Sequence, residues 1–215
     1  MIRHHLHIFF ITILVVFFCG TVFSQSFRGG LSAGLTASEV SGDQAAGPHK
    51  LGLSLGVFTA LELSPTSELQ MEMLYIHKGS RVIPTERDMT RDYRFHLEYV
   101  EIPLLYKFGF TRFEDVKYLG SLIFEIGLSY ARLLRYNEVL NDETQVVGVH
   151  VEDYHYNESN IILGLHYPVG ENLNFNFRFS NSITPIRPHK DFAKTWYNWG
   201  QYHTVWNLAL NYTFF

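Results

Sequence analysis

Apolar and polar residues alternate one by one along most of this chain. The pattern is cleanest from Asn172 to Ser180. There Leu173, Phe175, Phe177 and Phe179 share one face of an extended strand, and Asn174, Asn176, Arg178 and Ser180 share the other. The same period of two predicts seven more strands: Phe27–Ser38, Lys50–Leu63, Glu68–Lys78, Phe95–Phe108, Lys117–Leu134, Glu158–Tyr167 and Gln201–Phe214, with the segment just described extending over Asn172–Ile183. Most are near the roughly 9–11 residues that a tilted membrane-spanning strand requires. One face is Leu, Ile, Val, Met and aromatic almost throughout, as in Leu51, Leu53, Leu55 and Val57, or Met71, Met73 and Tyr75. The other is Gly, Ser, Asn, Glu and Lys, as in Gly52, Ser54 and Gly56, or Gln70 and Glu72.

The connections alternate between long and short. Glu39–His49, Gly79–Arg94, Arg135–Asn157 and Thr184–Gly200 are long and mostly polar. Ser64–Ser67 and Pro168–Glu171 are tight turns, and Gly109–Val116 is fairly short. This rhythm is that of an all-β, eight-stranded antiparallel up-and-down transmembrane β-barrel. An even strand number places both chain ends on the short-turn side. A soluble ligand-binding barrel reverses the two faces, with an apolar interior and a polar exterior.

The beginning of the chain predicts export. Met1 to His7 carries Arg3 and three His, and Ile8–Phe18 is apolar apart from Thr12. Val22 and Ser24 then stand at the −3 and −1 positions before Gln25, which reads as a signal peptide over residues 1–24 and a barrel domain over 25–215. The apolar run is shorter than the roughly 20 residues of a spanning helix. Cleavage after Ser24 removes Cys19, the only cysteine, so disulfide and thiol chemistry are not expected of the mature chain. Aromatic residues make up 16% and charged residues only 18%. The formal charge of −4, with no basic run, gives no sign of a nucleic-acid partner.

Charged residues on the inward face are the candidate site. Glu72, Glu101 and Glu125 are expected to pair with Lys107 and Arg178 inside the lumen, because charges withdrawn from water must be matched. Glu62 and Lys78 lie on the same face. Tyr75, Tyr130, Tyr167, Trp206 and Tyr212 fall near strand ends and suit interfacial girdles; Trp196 and Trp199, in the last long loop, are expected to anchor at the interface. His150, Glu152, Asp153, His155 and Glu158 match no metal-ligand spacing and read as a solvated acidic loop. His77 and His96, near strand ends, read as structural. A serine beside His77 or His203 would make a lipid-modifying site, but no spacing singles one out. No catalytic residue, cofactor or metal is expected.

The segment Leu97-Glu-Tyr-Val-Glu-Ile-Pro-Leu-Leu-Tyr-Lys-Phe108 resembles a strand hallmark of the PorT-like outer-membrane β-barrel family of Bacteroidetes. Gly29-Gly-Leu-Ser-Ala-Gly-Leu35 is similar to that family's Gly-rich first strand, and Phe23–Gln25 to its signal boundary. The resemblance implies an outer-membrane location and an eight-stranded barrel, and it carries over no catalytic residues. Outer-membrane barrels usually finish on an aromatic strand pattern that the insertion machinery reads. Trp206, Leu208, Leu210, Tyr212 and Phe214 make such a pattern, with Phe215 one residue further. The expected function is that of a non-enzymatic envelope protein with a structural or secretion-associated role. Its partners would be outer-membrane lipid, the insertion machinery and an envelope protein. The alternatives are an outer-membrane lipid-modifying enzyme and a narrow pore for small solutes.

Overall fold

A computed structural model describes residues 26–41, 47–82, 93–109, 121–140, 154–188 and 200–214. Eight strands follow in order: β1 (Phe27–Ser41), β2 (Lys50–Ser64), β3 (Ser67–Arg81), β4 (Tyr93–Gly109), β5 (Ile123–Leu140), β6 (Asn157–Pro168), β7 (Leu173–Ser182) and β8 (Tyr202–Thr213). Each pairs antiparallel with its sequence neighbours, and β8 returns to pair with β1, so the sheet closes and has no edge. The last ladder contact is made by Phe214, whose N–H donates to the Gly29 carbonyl at 2.9 Å. Residues 1–25, with the signal peptide and its cleavage point, lie outside the described residues, as do Trp196, Trp199 and Phe215.

The two faces sort by size and polarity. Leu35, Leu128 and Leu51 on the outside are more than half exposed, whereas Gln70, Asn160 and Asn176 inside are about 1% exposed. Apolar groups that would cost free energy in water therefore cover the outer wall, and the groups that need hydrogen bonds line the axis. The turn between β2 and β3 is the two residues Pro65 and Thr66, closed by Ser64 Oγ and Ser67 Oγ at 2.7 Å. The β6–β7 turn is closed by the N–H groups of Val169 and Gly170 donating to the Leu173 carbonyl at 2.9 and 3.1 Å.

β5 departs from the alternation. The segment Lys117–Leu134 was the expected strand; the observed one runs Ile123–Leu140, and residues 117–120 lie outside the described residues. The cause is a β-bulge. Tyr99 of β4 faces Leu133 while Glu98 faces Arg135, which leaves Leu134 as the extra residue. Beyond it the faces exchange: Arg132 and Leu134 look outward, and then so do Arg135 and Asn137, while Tyr136 and Glu138 turn inward. A period-2 signal breaks at such a step, so the end of the strand resembles loop in sequence. The long connection after β5 is correspondingly shorter than expected, and the β4–β5 connection longer.

The lumen is not polar throughout. At its long-loop end Val40, Ile76, Phe95, Leu97, Tyr99, Ala131 and Leu133 project inward and meet Tyr154 and Ile186 from the flanking connections, forming one buried apolar cluster. An apolar core of the kind found in water-soluble proteins lies inside the mouth of the barrel.

Candidate functional site

Three layers of side chains fill the axis below and within that cluster. The middle layer centres on Arg178 of β7. Its Nη1 and Nη2 donate to the two carboxylate oxygens of Glu72, each at 2.9 Å. Its Nε and Nη2 donate to Glu125 at 2.6 and 3.1 Å. One planar guanidinium thus serves two carboxylates bidentately, a task its fixed donor fork allows and an ammonium would not perform. His166 Nε2 lies 2.5 Å from the second oxygen of Glu125, and Asn176 Nδ2 donates to the first at 3.3 Å.

The upper layer centres on Lys78 of β3. Its Nζ lies 2.8 Å from Glu101 and 2.9 Å from Glu158. His203 Nδ1 meets the other Glu158 oxygen at 2.8 Å, and Ser129 Oγ donates to Glu101 at 2.5 Å. Lys78 also sits 5.1 Å over the Tyr99 ring. Toward the short turns Lys107 Nζ donates to Gln70 Oε1 at 2.5 Å and lies 3.3 Å from Glu68, which in turn holds Arg28. A cavity of about 70 Å³ remains at this end, lined by Arg28, Gln70, Lys107, His166, Asn174 and Asn211 among others.

All five residues expected to form the lumen network project inward, but not as one set. Arg178 gathers Glu72 and Glu125. Glu101 pairs with Lys78 instead, and Lys107 with Glu68 and Gln70. The reason is axial height: six residues along β4 separate Glu101 from Lys107, roughly 20 Å of strand. Lys78, on the inward face by parity, takes Glu101 and Glu158 as its partners. Glu158, grouped with the acidic loop, is instead the buried counter-charge of Lys78 and His203. The parity of β6 carries the signal, since Asn160, Gly164 and His166 share its face. His155 is exposed, with Nδ1 on the Pro185 carbonyl at 2.8 Å, and it does not join Glu158; His150, Glu152 and Asp153 lie outside the described residues. His203 is fully buried, so it cannot serve a lipid-facing site.

The apolar cluster above is sealed by Arg187. Its guanidinium stacks 5.0 Å from the Phe95 ring centre and 5.5 Å from that of Tyr154. Nη1 donates to Tyr154 Oη at 2.9 Å, and that hydroxyl donates to Glu138 at 2.9 Å. Of the girdle candidates, Tyr75, Tyr130 and Tyr212 are exposed on the outer wall, and Tyr167 and Trp206 are partly exposed there. Trp206 packs edge-on against Phe179, with ring centres 5.6 Å apart.

Gly164 makes the middle layer possible. A Cβ at this position would lie 2.2 Å from Glu125 Oε1 and 2.8 Å from two further carbons of that side chain. Gly164→Ala is expected to push Glu125 off Arg178 and to cost about 1–3 kcal/mol, the usual penalty of a spoiled buried hydrogen bond. The urea midpoint of the refolded barrel in detergent measures it.

Solved structures of similar architecture include three small barrels. The attachment invasion locus protein Ail of Yersinia pestis is 11% identical over 87% of this chain and 98% of its own, with a TM-score of 0.44. Neisserial surface protein A is 11% identical over 88% and 99%, at 0.49. OprG of Pseudomonas aeruginosa is 12% identical over 87% and 94%, at 0.37. No curated protein matches the chain in sequence. The family profile described as outer membrane protein beta-barrel domain matches residues 23–187. The chain therefore belongs to the outer membrane protein beta-barrel domain family, and it is an outer-membrane β-barrel protein.

Proposed function

We propose that this barrel is a non-enzymatic envelope protein of the PorT-like group, with a structural or secretion-associated role exercised through its long outer loops. One observation carries this reading: among the described residues the axis is blocked at its middle and at its outer end, and only a small cavity is left toward the short turns. Paired charges occupy the middle, and an apolar cluster under Arg187 closes the outer end. A solute pore is not favoured by such a lumen, whose permeation would require several buried ion pairs to part. Glu158 and His203, an acid–base pair of the upper layer, are fully buried and out of reach of a substrate. On the outer wall, His77 meets Tyr75, His96 and Glu98 among the described residues. What remains available to other molecules is the lipid-facing wall and the loops.

The segment Glu98-Tyr-Val-Glu-Ile-Pro-Leu104 supports the PorT-like assignment and a Bacteroidetes origin. Lipid of the outer membrane and the barrel insertion machinery are then its obligatory partners, and an envelope protein meets the loops. Photo-crosslinkers placed in the loop after β5 are expected to capture that envelope protein in intact cells. The refolded protein is expected to be electrically silent in planar bilayers, and a deletion strain to keep its lipid A mass profile. Stepwise conductance would restore the pore, and an altered lipid A profile would restore the enzyme.

A further inference from the structure

Three metal-ligating side chains converge on the outside of the wall, on the long-loop side of Tyr75. Within the β3–β4 ladder His77 stands directly opposite Glu98, and Gly79 opposite His96. His96 is therefore the diagonal neighbour of His77, a spacing that long and aromatic side chains bridge. One ligand atom from each of His77, His96 and Glu98 lies within 4.8 Å of the others. The two imidazole rings meet edge to face, with centres 4.8 Å apart at 78°.

We propose that His77, His96 and Glu98 form a binding site for a divalent transition-metal ion, Zn²⁺ foremost, on the outer rim of the barrel. Two imidazoles and one carboxylate, with a position left open to water, are an established zinc donor set. Imidazole excludes the hard cations Ca²⁺ and Mg²⁺ as preferred occupants, since these favour oxygen ligands throughout. Zinc bonds of about 2.0–2.1 Å place tetrahedral ligand atoms roughly 3.4 Å apart, so the three groups close by little more than about 1 Å.

Two further observations point to a ligand. His77 Nε2 is buried and has no hydrogen-bond partner among the described residues. A buried polar atom left unmet is costly, and a metal ion would meet it. The carboxylate is also already aimed. Tyr75 Oη donates to Glu98 Oε2 at 2.6 Å, leaving Oε1 turned to His96 Nε2 at 3.5 Å. A hydroxyl that fixes one carboxylate oxygen while the other faces the metal is a familiar supporting contact. Gly79 fixes the backbone beneath: it has φ +142°, and a Cβ there would lie 2.0 Å from the Phe95 carbonyl, beside His96. Two cations border the site, Arg135 at 3.9 Å from Glu98 on a largely exposed side chain, and Lys50 beside His96. A bound ion replaces Arg135 as the counter-charge of Glu98.

The test uses the full mature chain refolded in detergent micelles and titrated with Zn²⁺ by calorimetry, with Co²⁺ as an optical probe. The wild type is expected to take up Zn²⁺ at one saturable site and to give the visible bands of low-coordinate Co²⁺. The His77→Ala/His96→Ala variant is expected to lose both signals, Tyr75→Phe to bind about tenfold more weakly, and His155→Ala to bind as the wild type does. Heat-modifiable migration confirms that each variant closes. If the double variant does not close, Glu98→Gln, of the same shape, is expected to show the loss. A wild type without saturable uptake overturns the site, and so does undiminished uptake in the histidine or Glu98 variants. Either result leaves the role of the loops untouched.

Discussion

Replacing Arg178 by Met should cost the barrel about 3–5 kcal/mol, the usual effect of removing one partner from a buried ionic cluster. Glu72 and Glu125 are each nearly fully buried, and Arg178 alone answers both with bidentate contacts. Without it, two buried carboxylates face each other across the lumen, with His166 and Asn176 on one and Gln70 on the other. Neither set supplies the lost positive charge. Arg178→Lys is expected to fall between, since one ammonium cannot span both carboxylates. Adding Glu72→Gln and Glu125→Gln to Arg178→Met should recover much of the loss, because the damage is uncompensated charge rather than lost volume. Urea unfolding in detergent, followed by tryptophan fluorescence, measures the series. A loss below about 1 kcal/mol for Arg178→Met would mean that the carboxylates find other partners.

The second large effect is on the opposite face. Leu128→Arg is expected to cost about 2–4 kcal/mol, the penalty for a cation in the middle of the lipid-facing wall. Leu128 is 58% exposed, and its cross-strand neighbours Leu104 and Ile161 are outward and apolar as well. In a water-soluble barrel the same change would be neutral, since an exposed arginine is at home in water. Comparing unfolding in lipid vesicles for Leu128→Arg and Leu128→Ala isolates the charge from the lost methyl groups. Near equality of the two would contradict the lipid-facing orientation.

The fold was legible in the sequence because lipid and lumen sort side chains by parity. Leu173, Phe175, Phe177 and Phe179 against Asn174, Asn176, Arg178 and Ser180 state the two faces of β7 directly. The β5 bulge was not legible, since it exchanges the faces after Leu134 without any Gly or Pro to mark the step. The inward identity of Glu72, Glu125 and Arg178 followed from parity. Which charge meets which did not, because the pairing depends on height along tilted strands, a quantity set by the stagger of the whole closed sheet. Glu101 and Lys107 show this: they share a face and a strand yet belong to different layers. The outer apolar cluster was hidden for another reason. Leu97 and Tyr99 share the parity of Glu101 and Lys107 on β4, but Tyr154 and Ile186, which complete the cluster, come from connections outside any strand.

The strands differ in length: β5 has 18 residues and β4 17, against 10 for β7. At about 3.3 Å per residue, β5 reaches roughly 59 Å and β7 roughly 33 Å. Only about 9–11 residues are needed to cross the bilayer. The surplus lies at the Tyr93–Leu140 end of the ladder, away from the short turns. Among the described residues the β4–β5 ladder consequently stands as a parapet beyond the end of the β7 strand, on the side of the long connections.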